Sequence, residues 1–179
     1  MEFVEINPVM KLVLIGKFGV GKTSIIHQYI HETFPNEPNE IQSQKRENQR
    51  NKDIFEVELI DSMGREKDEP LTHFYYQKCH GCALVFDKND PESLTHLHEL
   101  YDQVKMFGAQ NMGMILIGNK SDLECKIDNS EAQQFATEHQ MRYFSLTAKE
   151  KPQVMEAIEY LVDIVYKKYY EKQKSCCLL

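Results

Sequence analysis

Residues 16–23 read GKFGVGKT, which fits the spacing GxxxxGK[ST]. Glycines at such intervals let successive backbone N–H groups turn toward a phosphate. The lysine of the pattern reaches β- and γ-phosphate oxygens, and its threonine hydroxyl can ligate Mg²⁺. Gly16, Lys17, Phe18, Gly19, Val20, Gly21, Lys22, Thr23 and Ser24 are therefore the candidate phosphate site. Lys22 would meet the reacting phosphates and Thr23 the metal. The bland alternative is a glycine-rich turn with a solvated lysine. An apolar run before the loop and a helical pattern after it argue for the phosphate site.

A second group of residues could choose the base. Asn119-Lys120-Ser121-Asp122 follows the apolar run MGMILIG, and Thr147-Ala148-Lys149 follows the weaker run RYFSL. A carboxylate at Asp122 can accept both the N1–H and the exocyclic N2–H of guanine. Adenine offers no such pair of donors, so the unmet carboxylate would reject it. A backbone amide at Thr147–Lys149 could meet guanine O6. Alone, NKSD is a polar turn; placed after a buried run, with GKFGVGKT upstream and TAK downstream, it reads as a guanine pocket.

Elements that would position these groups alternate along the chain. Val9–Ile15, Cys82–Phe86 and Met112–Ile117 are short apolar runs, Ile54–Ile60 has period two, and Arg142–Leu146 is a weaker last strand. Between them lie helical patterns: Thr23–His31; a helix capped by Asp90 with Pro91 first and a Leu94, Leu97, Tyr101, Val104 stripe; one opened by the Ser130–Gln133 capping-box spacing; and one from about Gln153 with Met155, Ile158, Leu161, Val162 and Val165 on one face. Such alternation predicts an α/β fold, a mostly parallel sheet with helices on both faces. The stretch 35–53 has Ile41 as its one apolar residue apart from prolines. It reads as a mobile loop, then a solvated edge strand with a turn near Arg50–Asp53.

Bulk properties narrow the class. The 179 residues, 41% of them hydrophobic, suit one domain (1–170) and a short tail (171–179). There is no apolar run of eighteen residues and no secretory-type start, and Glu2 excludes N-myristoylation. A net charge of −7 argues against nucleic-acid binding. Five cysteines without a disulfide-like framework point to a reducing, cytoplasmic setting.

Over residues 9–170 the chain resembles a Ras-superfamily small GTPase. GKFGVGKT resembles the P-loop, DSMG at 61–64 the switch II motif, and NKSD and TAK the guanine motifs, while HFYYQKCHGCALVFDKNDPESL most resembles the Rab branch. The resemblance implies a P-loop GTPase fold, with a six-stranded sheet, one antiparallel edge strand and five helices. It implies GTP and GDP as ligands, Mg²⁺ as cofactor, and exchange factors, effectors and prenylation machinery as partners. It places Phe34 against the guanine base, Asp61 on Mg²⁺ through water, and the Gly64 N–H on the γ-phosphate.

Three departures fall on one transition state. The switch I threonine has no equivalent: Ile41 stands near its place, no threonine occurs between Thr33 and Thr72, and Ser43 is the nearest hydroxyl. Arg65 replaces the water-positioning glutamine. It is either an internal arginine finger or an exposed side chain on a loop; the second is favoured, because arginine neither acts as a base nor places a water well. Phe18 stands where the family prefers a small residue, and would obstruct a partner's arginine finger, a device that supplies about 10³–10⁵ in rate. The expected function is a guanine-nucleotide switch with weak hydrolysis, acting in vesicle traffic or signalling; the alternative is a binding module that recruits partners without turnover. A P-loop kinase or ATPase is disfavoured by NKSD and TAK.

The final residues Cys176-Cys177-Leu178-Leu179 fit C-a-a-X with X = Leu, which favours geranylgeranyl, and also resemble double-cysteine Rab ends. With Lys167, Lys168, Lys172 and Lys174 upstream, lipid and basic residues give two membrane signals. The expected location is the cytosolic face of a membrane. Cys79-His80-Gly81-Cys82 has CxxC spacing without a second pair, so apolar packing is expected there rather than zinc.

Overall fold

The computed structural model describes residues 8–35, 43–62 and 76–171, with no side chain described at 170–171. Ile41, Gly64, Arg65, Cys176 and Cys177 lie outside the described residues, as does most of the loop expected after Pro35. The strands are β1 (Val9–Ile15), β2 (Ser43–Arg50), β3 (Asp53–Asp61), β4 (Gly81–Asp87), β5 (Gly113–Asn119) and β6 (Arg142–Ser145). The helices are α1 (Lys22–His31), α2 (Pro91–Phe107), α3 (Asn129–Glu138) and α4 (Lys151–Tyr166), the last continued by a π-helical turn, Lys167–Glu171. Residues 76–78 are helical as well.

Six strands form one sheet in the order β2-β3-β1-β4-β5-β6, parallel throughout except for the β2–β3 pair. From β1 the chain goes first to one side, to β3, then returns to the other, to β4. The order of strands therefore reverses at β1, and the crevice at its carboxyl end is where an open α/β sheet binds ligands. GKFGVGKT begins there.

Period two sorts the core into two layers. Leu12, Leu14, Val57, Leu59, Ala83, Val85, Ile115 and Ile117 pack against α1 and α4. Val13, Ile15, Cys82, Leu84, Phe86 and Leu116 pack against α2 and α3. The strands buried on both faces are continuously apolar, as a covered parallel sheet requires. Cys79 and Cys82 lie inside the second layer, where burial pushes the Cys79 thiol up to about 12. Both cysteines pack among apolar side chains there, Cys79 at 2% and Cys82 at 0% exposure. None of the described helices is long and apolar enough to cross a membrane.

Helix starts correct the sequence reading in detail. Asp128, not Ser130, caps α3: its carboxylate accepts the Ser130 N–H at 3.1 Å. An aspartate two residues upstream of that N–H satisfies an orphan donor directly, which the Ser130–Gln133 spacing concealed. α4 opens at Lys151, with Pro152 in its first turn, earlier than Gln153. Val154, rather than Met155, occupies its buried face, and Leu100 fills the place expected of Tyr101 on α2.

β2 is the solvated edge strand expected, closed onto β3 by a two-residue turn with Asn51 at φ 54. Its inner face is polar too, and is held by a clasp rather than by apolar burial. Arg46 donates to the Tyr29 carbonyl at 2.6 Å and to Glu32 at 3.1 Å. Asn48 donates to the Tyr29 hydroxyl at 3.0 Å and to Glu159 at 3.1 Å. Arg50 pairs with Glu159, and with Asp163 at 2.5 Å. The edge strand is thereby tied to α1 and α4.

Candidate functional site

The phosphate loop is shaped by two backbone requirements. Gly16 has φ 151, and a Cβ built on it would lie 2.0 Å from the Val85 carbonyl oxygen. Gly21 caps α1 from the left-handed region at φ 99, where glycine alone is unstrained. Inside the arch lies Lys22, 4% exposed, its ammonium donating to the Gly16 carbonyl at 2.5 Å and the Lys17 carbonyl at 3.2 Å. The N-terminus of α1 and a buried ammonium thus belong to the same loop. Orphan N–H groups and positive charge together make an anion site.

Not every residue of the motif turns inward. The Lys17 ammonium pairs with Asp90 at 2.9 Å and Glu92 at 3.0 Å, at the start of α2, and these carboxylates hold it above its usual range. Lys17 therefore offers its backbone to the arch, and its side chain ties the loop to α2. Val20 is core, 1% exposed, with its carbonyl facing the base side. Ser24 is half-buried at the start of α1. Phe18 is 81% exposed and Phe34, just past α1, 44%.

Thr23 and Asp61, thirty-eight residues apart, meet directly: the Thr23 hydroxyl donates to the Asp61 carboxylate. Asp61 ends β3 beside the loop and is buried. A hydroxyl that gives its proton to a carboxylate keeps its lone pairs as acceptors. Two such oxygens beside an anion site suit a hard cation of the Mg²⁺ kind. Ser43 begins β2 opposite Ile60, one residue short of Asp61 in register, and is exposed.

The NKSD and TAK segments are joined to the glycine-rich loop by one amide. Asn119, 2% exposed, donates to the Val20 carbonyl at 2.8 Å and accepts the Ala148 N–H at 2.9 Å. Lys120 donates to the Gly19 carbonyl at 2.9 Å and pairs with Asp87 at 2.6 Å, lying along the loop. Asp122 is exposed and pairs with Lys149 at 2.7 Å; the Lys149 ammonium first, then the Thr147 hydroxyl, holds its carboxyl below the usual range. An ionised acceptor with two oxygens is the group that paired N–H donors need. Thr147 and Ala148 are buried beneath it.

Sequence reasoning missed Asp87. It ends β4 at the same crevice, and accepts the Asn89 N–H at 2.9 Å as well as the Lys120 ammonium. The available signal was a carboxylate at the carboxyl end of an otherwise apolar strand, beside the reversal in strand order.

Comparison with known proteins agrees with this geometry. The sequence profile of the Ras family matches residues 11–167. "Ras-related protein Rab-7b" of Mus musculus is 33% identical over 170 residues, covering 89% of this chain and 84% of its own. "GTP-binding protein Rab-3D" of Rattus norvegicus is 31% identical over 166 residues, covering 90% and 76%. "Ras-related protein RabC" of Dictyostelium discoideum is 27% identical over 159 residues, covering 85% and 81%.

Proposed function

Because the chain belongs to the Ras family of GTP-binding, GTP-hydrolysing switches, on its Rab branch, we propose that it turns over slowly and acts from a membrane. The observation that supports this reading of the nucleotide site is the join made by Asn119, which ties the glycine-rich loop at Val20 to the Thr147–Lys149 segment at Ala148. In this reading the backbone of residues 16–24 and the Lys22 ammonium hold the phosphates. Asn119, Lys120, Asp122, Thr147, Ala148 and Lys149 hold the guanine, with Phe34 beside it. Thr23 and Asp61 would hold Mg²⁺, which when bound neutralises phosphate charge. For Asp122→Ala we expect guanine nucleotides to bind at least tenfold more weakly, because a charge-assisted pair of hydrogen bonds is lost. Unchanged GDP affinity in a competition assay would show that the base lies elsewhere.

Slow turnover follows from which groups are kept. Binding needs the phosphate arch and the base pocket; hydrolysis also needs a placed water and a held γ-phosphate. Arg65 serves the first poorly, and Ile41 has no hydroxyl for the second. Phe18 projects from the loop that a partner's arginine would have to cross. Single-turnover GTP hydrolysis is expected to be slower than in ordinary small GTPases, and Arg65→Gln to restore only part of the rate. A parent rate at or above the ordinary one, lost on Arg65→Gln, would make Arg65 an internal finger instead. No turnover in either protein would favour the second reading, a GTP-holding module that recruits partners without cycling.

Anchoring rests on Cys176 and Cys177 with the nearby lysines. Such an anchor fits the vesicle traffic or signalling roles of a cytosol-facing switch, served by exchange factors, effectors and prenylation enzymes. A Cys176→Ser, Cys177→Ser double variant is expected to move from the membrane to the soluble fraction of lysed cells. If it stays with the membrane, another element anchors the chain.

A further inference from the structure

Lys88, the residue after β4, is only 5% exposed. An ammonium removed from water is costly unless its donors find acceptors. This one donates to Asn129 Oδ1 at 2.9 Å and to Ser145 Oγ at 2.9 Å. Asn129 is the first residue of α3 and also accepts from the Tyr143 hydroxyl at 3.1 Å. Ser145 ends β6, two residues before Thr147. The backbone of Lys88 is engaged as well. Its N–H donates to the Asn119 carbonyl at 3.0 Å, and its carbonyl accepts from Lys126 at 2.9 Å and Ile127 at 3.2 Å.

One residue thus fixes both ends of the segment that carries Asp122, and its side chain adds the strand end that leads to Thr147, Ala148 and Lys149. A hydrocarbon side chain of equal length would fill the space but bridge neither oxygen. A tetrahedral ammonium joins two acceptors that come from different elements. We propose that Lys88 is a positioning residue for base selectivity: it holds the 119–122 and 147–149 segments in mutual register, so that Asp122 meets the guanine edge.

The proposal rests on the reading of Asp122 as the guanine acceptor, and the experiment separates the two. GDP and IDP dissociation constants are measured on the full chain; IDP lacks the exocyclic amine whose N–H would donate to Asp122. A site aligned to that amine prefers GDP, and a misaligned one loses the preference more than it loses phosphate binding. Lys88→Met is expected to weaken GDP about tenfold while IDP changes about threefold or less, so that the GDP/IDP ratio collapses. Asn129→Ala combined with Ser145→Ala, which keeps Lys88 but removes its acceptors, is expected to lower the ratio in the same direction, and serves if Lys88→Met does not fold. Equal weakening of both nucleotides, or none, in these variants while Asp122→Ala collapses the ratio would overturn the role of Lys88 alone. A ratio untouched by Asp122→Ala would overturn the base-pocket reading and this proposal with it.

Discussion

Gly16→Ala is expected to destabilise the chain by about 3 kcal/mol or more and to abolish measurable nucleotide binding. The added Cβ would sit 2.0 Å from the Val85 carbonyl oxygen. That oxygen belongs to β4 at a residue in register with Ile117 of β5, so the strand cannot withdraw without disturbing a central ladder. The φ of 151 adds strain of its own. For a chain of this size about 3 kcal/mol corresponds to a melting temperature lower by roughly 6–12 °C. Calorimetry with and without GDP checks it: parent-like melting in both would mean that the loop relaxes at no cost.

Asn119→Ala has the second largest expected effect. It removes one amide whose two partners, the Val20 carbonyl and the Ala148 N–H, are left behind in the interior. Each buried group left unpaired costs about 1–3 kcal/mol, so for the two a loss of roughly 2–6 kcal/mol is expected. The phosphate arch and the base segments would also lose their common anchor, and GDP affinity should fall by more than the stability loss alone requires. Asn119→Asp keeps an acceptor for Ala148 but sets a buried carboxylate oxygen against the Val20 carbonyl, and should be no more stable than Asn119→Ala. Denaturant melts of the three proteins decide the order. A loss below about 1 kcal/mol for Asn119→Ala would mean that solvent replaces both bonds.

What was legible in the sequence was carried by periodicity and by short motifs. Strands such as 82–86 announced themselves through unbroken apolar character, and β2 through its lack of it. GKFGVGKT, NKSD and TAK are local words, and each appears in the structure at a strand end, facing one crevice. What was not legible depends on residues far apart. Arg50 meets Glu159 and Asp163, more than a hundred positions away, with no pattern to announce either contact, whereas the motifs at 16–23 and 61–64 had already brought Thr23 and Asp61 to one place. Lys17 stands at a position the motif leaves open, and its charge goes to Asp90 and Glu92, which no local pattern foretells. Lys88 sits in FDKND, where nothing local marks it, and is buried where segments around 119, 126–127, 129 and 145 meet it. A cap such as Asp128 was missed because two acceptable capping patterns overlap within six residues, and only the backbone path chooses between them.

The polar clasp of β2 has a consequence for self-association. A strand at the rim of a sheet offers unpaired N–H and C=O groups to any other extended chain, and long apolar rims seed fibrils. Here one rim, β6, is only four residues long. The other, β2, is eight residues long and carries Lys45 and Glu47 on its exposed face and Arg46 and Arg50 on its inner one. A second molecule aligning with β2 would have to strip water from those charges and gain no apolar surface in return. Because ion pairs to α1 and α4 keep the strand in place, the domain can seat it firmly without making that rim adhesive.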